Sequence, residues 1–163
     1  MINGLEIKPV HVDHADQIAQ IYNQALIART ATFETIPRSN ADICQWIDSG
    51  EAFIVAQTKD GEVAGFARAS LYRNRECYAG IKEYSVYVGE EYRGNSVGER
   101  VLGALIDECR KRGVLKLLSR IFPENVASIK LAQKAGFEIV GTYKNHGKLD
   151  GEWKDCVIVE LTL

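Results

Sequence analysis

The chain has 163 residues, 46% of them hydrophobic and 26% charged, with 20 basic against 22 acidic side chains and a formal net charge of −2. A chain of this length buries roughly 70% of the surface its unfolded form exposes, so a core forms without staples, and the composition excludes disorder, collagen-like repeats and low-complexity scaffolds. The balanced, dispersed charge argues against a sequence-independent grip on nucleic acid.

Leu5 and Ile7 alternate with Glu6 and Lys8 as a short strand ending near Pro9. Asp13 is then the expected N-cap of a helix over Ala15–Ala28, in which Ile18, Ile21, Tyr22, Ala25 and Leu26 recur at helical spacing. Arg29–Arg38 is polar and threonine-rich with Pro37 near its end, a loop in which the apolar Phe33 calls for a reason. Ser39 caps a second helix, Asn40–Asp48, which Ser49-Gly50 ends. Ala52–Gln57 and Glu62–Leu71 read as a hairpin around Lys59-Asp60-Gly61, and Tyr84–Val88 as a third strand. Between the last two lies Tyr72–Gly80, a polar loop with two arginines and two tyrosines. Val97, Val101, Leu102, Leu105, Ile106 and Cys109 define an amphipathic helix over Val97–Arg112, stopped by Gly113. Leu115–Phe122 is a strand, Val126–Ala135 a helix ended by Gly136, and Phe137–Tyr143 and Val157–Leu163 are strands. No repeat or linker interrupts this order, which predicts one mixed α/β domain over residues 1–163.

Cys44, Cys77, Cys109 and Cys156 form no C-x-x-C pair, and a chain of this size does not need disulfides, so they read as reduced thiols of a cytoplasmic protein. The opening residues lack a basic lead followed by an apolar stretch, and no window approaches roughly 18 uninterrupted apolar residues. Neither export nor membrane insertion is expected.

The informative stretch is Glu83-Tyr84-Ser85-Val86-Tyr87-Val88, then Gly89-Glu90-Glu91-Tyr92, then Arg93-Gly94-Asn95-Ser96-Val97-Gly98 running into the long helix. A strand, a glycine-bearing turn and a helix N-terminus in that order gather unpaired N–H groups and the positive end of a helix dipole, which attract phosphate oxygens. Gly94 and Gly98 would let the backbone approach a pyrophosphate and adopt a positive φ. Many α/β proteins carry such a turn with no anion. A Walker loop would need a closing Gly-Lys-Ser/Thr, and a dinucleotide fingerprint would need G-x-G-x-x-G in an opening βαβ unit; neither is present.

The turn resembles the R/Q-x-x-G-x-G/A pyrophosphate loop of the GNAT superfamily of N-acetyltransferases, and the resemblance extends through Pro123-Glu124-Asn125-Val126-Ala127-Ser128 and Lys134-Ala135-Gly136-Phe137. Within that superfamily, the Glu83–Val88 strand, Thr30-Ala31-Thr32-Phe33-Glu34-Thr35 and Gly151-Glu152-Trp153-Lys154-Asp155 are similar to phosphinothricin acetyltransferases. Arg75–Gly80, Ser119–Asn125 and His146–Gly151 look closest to the arsinothricin-resistance members. The likeness implies a mostly antiparallel central sheet flanked by helices, with acetyl-CoA as co-substrate and no metal. It departs at Ser96, where the loop usually has glycine, and at Ala132, where many relatives carry tyrosine or histidine that could protonate the departing thiolate.

Acetyl transfer to an amine needs a proton acceptor for the amine and donors for the charge that develops on the carbonyl oxygen. Glu83 is the candidate general base, since it leads a strand of apolar and aromatic residues where partial desolvation makes a carboxylate a better proton acceptor. The alternative is a strand-end carboxylate satisfied by an arginine. The resemblance implies that Val86, Tyr87 and Val88 lie along the pantetheine arm, with a valine N–H on the thioester carbonyl. It further implies that Arg93, Gly94, Asn95, Ser96, Val97, Gly98 and Glu99 hold the pyrophosphate, and that Asn125 and Ser128 bond the cofactor from the neighbouring strand end. Asn125 is equally explained as a helix N-cap. Guanidinium forks suit a small anionic acceptor, which makes Arg73 and Arg75, with Tyr78, Phe33 and His146, the candidate substrate residues; Trp153 reads as more structural.

A cysteine nucleophile at Cys77 or Cys156 would need a partner histidine, and His11, His14 and His146 stand at no suitable spacing. A metal site fails on ligand spacing too. The remaining alternative is a non-catalytic acetyl-CoA-binding domain, which Ser96 and Ala132 favour and the intact Glu83–Val88 strand opposes. The expected partners are a small-molecule amine and a second copy of the chain, because relatives commonly pair as dimers, with the C-terminal strands as the expected interface.

Overall fold

The computed structural model describes residues 2–163. Its elements are β1 (Glu6–Pro9), α1 (Ala15–Ala28), α2 (Asn40–Asp48), β2 (Phe53–Gln57), β3 (Val63–Leu71), β4 (Ile81–Val88), α3 (Val97–Lys111), β5 (Lys116–Ile121), α4 (Val126–Lys134), β6 (Glu138–Leu149) and β7 (Glu152–Thr162). The strands form one seven-stranded sheet in the order β1-β2-β3-β4-β5-β7-β6. Every neighbouring pair is antiparallel except β4–β5. The mixed, mostly antiparallel sheet flanked by helices is the architecture the resemblance implied. No helix among the described residues is long and apolar enough to cross a membrane.

The sheet is covered on both faces. Val97, Val101, Leu102 and Leu105 of α3 bury their stripe against Ala64, Ala67 and Ala69 of β3 and Leu117 of β5. The small side chains of β3 let α3 lie close. At its N-terminal end the approach is tightest: a Cβ at Gly65 would come within 2.9 Å of both the Tyr87 carbonyl oxygen and Val97 Cγ1, so only glycine lets α3 start directly over the end of β4. On the other face Ile18 and Tyr22 of α1 and Ile43 of α2 meet Phe53, Val55 and Phe66. Each of these large apolar side chains contributes about 1.5–3 kcal/mol on burial.

Three boundaries differ from the sequence expectation. Strand β4 begins at Ile81 rather than Tyr84 and so carries Glu83 within the strand rather than at its head, because the parallel pairing with β5 starts at Ile81. The chain enters α1 through a 3-10 turn, Val12–His14, in which Asp13 caps nothing. Instead the His11 N–H donates to His14 Nδ1 at 2.9 Å and the Asp13 N–H to His11 Nδ1 at 3.2 Å. The C-terminal hairpin is also longer than expected: β6 runs on to Leu149 and β7 starts at Glu152, around Asp150-Gly151, both with positive φ as a tight hairpin turn requires. The polar run Lys144–Lys148 hides this strand, because it contains an irregularity in which Asn145 adopts a φ of 47° and its N–H donates to Asp155 Oδ1 at 2.8 Å. The Ser39 cap is as expected, with a reciprocal bond from the Ser39 N–H to Asp42 Oδ2 at 2.7 Å.

Candidate active site

The site begins where β4 and β5 part. Their parallel register covers Ile81↔Lys116, Lys82↔Leu117 and Glu83↔Leu118 and then stops, while β4 stays paired to β3 as far as Val88. Which backbone groups face the gap follows from the alternation of a strand. The Gly89 N–H bonds to Ala64 O on the β3 side at 2.9 Å, and the Tyr84 carbonyl accepts from Ser119 Oγ on the β5 side at 3.2 Å. Residues 85, 87 and 89 therefore turn their N–H and C=O groups to β3, and Tyr84, Val86 and Val88 turn theirs to the gap. A wedge results, tied at its apex by Ser119 and lined by one open strand edge. It holds a cavity of about 80 Å³ between β4 and Ser119–Phe122, opening into a cleft of about 460 Å³.

The far wall of the cleft is the start of α3. Gly94 has a φ of 76° with open space around the position of a Cβ, and Ser96, the N-cap, has a φ of 60°. A serine there costs about 1–2 kcal/mol relative to an ordinary conformation, which is the physical reason the position favours glycine. The Ser96 side chain caps nothing, and the first intrahelical bond runs from the Arg100 N–H to Ser96 O at 3.1 Å. The N–H groups of Val97, Gly98 and Glu99 thus point out of a 15-residue helix at the positive end of its dipole, beside Arg93, which has no ion-pair partner among the described residues. Such a terminus binds oxyanions.

Of the residues the sequence analysis assigned to the cofactor, Val86, Tyr87, Val88, Arg93, Gly94, Ser96, Val97, Gly98, Glu99, Asn125 and Ser128 border the cleft. Asn95 does not: its side-chain amide donates to the carbonyls of Tyr92 and Arg93 at 3.2 and 3.1 Å and holds the turn together. Gly98 is present for packing rather than for a positive φ, since a Cβ there would stand 3.3 Å from Leu131 and 3.6 Å from Val88. Asn125 is a true helix cap, its Oδ1 accepting from the Ser128 N–H at 3.2 Å, and its amide also donates to Thr30 O at 3.2 Å, drawing the loop after α1 over the cleft. Ala132 is fully buried in the core, and the face of α4 toward the cleft carries Ser128 and Leu131.

At the apex, Glu83 is ion-paired: Arg120 Nε donates to its Oε1 at 2.7 Å, with the two side chains 48% and 18% exposed for Arg120 and Glu83 respectively. The alternative of a carboxylate satisfied by an arginine is thus how the free protein holds it. By strand alternation Glu83 shares its face of β4 with Ser85 and Tyr87, the face covered by α1 and α2. The Tyr87 hydroxyl is pushed up from its ordinary range, chiefly by burial, and so is that of Tyr84.

The expected substrate residues are more scattered. Phe33 stacks edge-on against Phe122 of the cavity wall, with ring centres 4.8 Å apart, and a Cβ at Gly147 would come within 2.8 Å of it. That contact, which shuts the wedge on the β6 side, is the reason for an apolar residue in this loop. Arg73 lies over Tyr72, Arg75 lies over Tyr78, and the two tyrosines stack at 5.4 Å, an exposed cluster that does not line the cavity. The hydrogen bond with Tyr72 is the main cause that raises the Arg73 guanidinium above its ordinary range. His146 stacks on Tyr143 at 4.8 Å, and Trp153 is 58% exposed under Lys148, outside both core and cavity. Arg120 and Ser119 are site residues that no local sequence pattern marks. Their signal is the period-2 alternation of β5 opposite Glu83, which needs the register to be known. Burial raises the thiols of Cys109, to about 11, and Cys156, the opposite of what a nucleophile requires. Among the described residues no three His, Cys, Asp or Glu side chains gather as a metal site.

Residues 16–137 match the family described as Acetyltransferase (GNAT) family. The chain is 35% identical over 150 residues to an L-methionine sulfoximine/L-methionine sulfone acetyltransferase of Pseudomonas aeruginosa, covering 90% of this chain and 87% of that one. It is 30% identical over 162 residues to a phosphinothricin N-acetyltransferase of Alcaligenes faecalis, covering 96% and 82%. A crystal structure of a GNAT superfamily phosphinothricin acetyltransferase from Sinorhizobium meliloti in complex with acetyl-CoA superposes with a TM-score of 0.91 at 29% identity, covering 98% of this chain and 88% of that one.

Proposed function

Since the chain belongs to the GNAT acetyltransferase family, in its phosphinothricin acetyltransferase-like branch, and is an acetyl-CoA-dependent N-acetyltransferase, we propose that it acetylates the α-amino group of a small amino acid or glutamate-like toxin by direct transfer, with Glu83 as the proton acceptor. The observation that carries this reading is the open flank of β4 at Val86 and Val88, which lies between Glu83, where the β5 register ends, and the free N–H groups of α3.

The residues fit an acyl-CoA. Val86 and Val88 offer an amide-bearing arm the missing neighbour strand, and Arg93 with the α3 N–H groups offers a diphosphate its donors. Acetyl-CoA supplies a thioester activated toward amines. The Val86 N–H, turned to the gap, would donate to the carbonyl oxygen as charge grows there, a contribution typically worth 10²–10³ in rate. Glu83 takes one proton from the acceptor ammonium, and the nitrogen then forms the new bond to the acetyl carbon. The second proton lost by nitrogen balances the thiolate released. Phe33, with Phe122, would close the acceptor side, and Arg73, Arg75, Tyr78 and His146 would approach it from the neighbouring loop and β6. We further propose that two copies pair through the β6–β7 hairpin, whose Ile139, Val140 and Tyr143 are exposed.

The direct test mixes the protein with acetyl-CoA and a panel of L-methionine sulfoximine, L-methionine sulfone, phosphinothricin, arsinothricin and ordinary amino acids, and follows free thiol. Turnover on at least one α-amino acid is expected. Uptake of coenzyme A with no turnover across the panel contradicts the proposal.

A further inference from the structure

The Glu83–Arg120 pair is only half used. Arg120 donates from Nε to Glu83 Oε1, yet neither its terminal nitrogens nor Glu83 Oε2 has a hydrogen-bond partner among the described residues. Arg120 is one of the residues that line the wedge cavity, next to Ser119 and Ile121. It arrives there because Arg120 lies two residues beyond Leu118, the last β5 residue paired to β4, and so projects from the same face as Leu118, beside Glu83. An ion pair this exposed stabilises a fold by about 1 kcal/mol or less, so stability gives little reason for placing it at the closed end of the unpaired stretch of β4.

An α-amino acid carries an ammonium and a carboxylate on one carbon, the complement of a carboxylate and a guanidinium held 2.7 Å apart. Resting on the reading of Glu83 as proton acceptor, we propose that Glu83 and Arg120 together form the receptor for the α-amino acid zwitterion. The free terminal nitrogens of Arg120 take the α-carboxylate as a planar fork, and Glu83 Oε2 takes the α-ammonium. Recognition and deprotonation then occur at one place. The carboxylate that engages Arg120 shares the guanidinium with Glu83, and one ammonium proton passes to Oε2. The nitrogen lone pair forms the N–C bond, and the C–S bond breaks with its electron pair on sulfur, which balances the second proton. Plain amines, with nothing for Arg120 to bind, are poor acceptors.

The test compares an accepted amino acid with its decarboxylated amine, for example L-methionine with 3-(methylthio)propylamine, in wild type, Arg120→Gln and Arg120→Lys. Arg120→Gln is expected to raise KM for the amino acid about 10- to 100-fold, the usual effect of losing a charge-assisted pair. KM for the amine and for acetyl-CoA should stay within about 3-fold, and Arg120→Lys should recover part of the loss. Because both acceptors are measured on one protein sample, an inactive fraction cancels. Calorimetry of the amino acid into coenzyme A-saturated protein gives a second readout: heat of binding in wild type and none in Arg120→Gln. Equal shifts for both acceptors, no shift for the amino acid, or a wild type that accepts both alike overturns the proposal. A Glu83→Gln protein that keeps its turnover, alongside the expected Arg120 selectivity, would remove the base and leave the receptor standing.

Discussion

On its β3 side strand β4 is in register from Lys82 to Val88, whereas on its β5 side the register stops at Glu83. Both flanks present the same kind of backbone group, and alternate residues of one strand feed them. The closed flank fixes the geometry of the strand. The open flank can then hold N–H and C=O groups out toward the cleft without any rearrangement when a ligand arrives. An unpaired buried backbone group costs about 1–3 kcal/mol, so the gap is tolerated because it borders an open cleft, and a ligand that supplies the missing strand recovers the bonds.

Proline at adjacent positions breaks the two flanks separately. Tyr87→Pro removes a donor from the β3 ladder in the middle of the sheet and is expected to abolish folding, seen as loss of cooperative thermal unfolding. Val86→Pro removes a donor from the open flank only. It should keep a cooperative transition and lower kcat about 10²- to 10³-fold. Equal outcomes at the two positions would contradict the assignment of flanks. Next in size, Glu83→Gln should lower turnover about 10²-fold or more with acetyl-CoA affinity intact, as measured by calorimetry, because it removes the proton acceptor from the apex and leaves both flanks untouched. Loss of cofactor binding in that variant would make Glu83 structural. The smallest effect belongs to the turn before α3: Ser96→Gly relieves a positive φ and should stabilise the protein by about 1 kcal/mol, or ~2–4 °C in Tm. Its affinity for coenzyme A should not fall.

The closed half of this arrangement was far more legible in the sequence than the open half. The stripe from Val97 to Cys109 and the Ser39 cap declare α3 and α2 locally, because period and capping are written in neighbouring residues. The α3 turn was visible through Gly94, but no local pattern announces that Ser96 takes a left-handed conformation. The sequence pattern of β6 fades at Lys144–Lys148, whose strand propensity is poor, and it is pairing with β7 and the Asn145 N–H bond to Asp155 that carry the strand onward. Arg73 and Arg75 have the chemistry of anion receptors, yet each lies over a tyrosine of its own loop, and the arginine that reaches Glu83 is Arg120, 37 residues away. That contact depends on a parallel register between strands joined through a helix, which sequence spacing does not reveal.

Amide hydrogen exchange across β4, with and without coenzyme A, tests the central claim most directly. In the free protein the Ser85 and Tyr87 amides should exchange slowly and those of Val86 and Val88 quickly; saturating coenzyme A should slow Val86 and Val88, together with Val97, Gly98 and Glu99, and leave Ser85 and Tyr87 as they were. Val86 and Val88 amides already protected in the free protein, or still fast when it is saturated, would contradict the account.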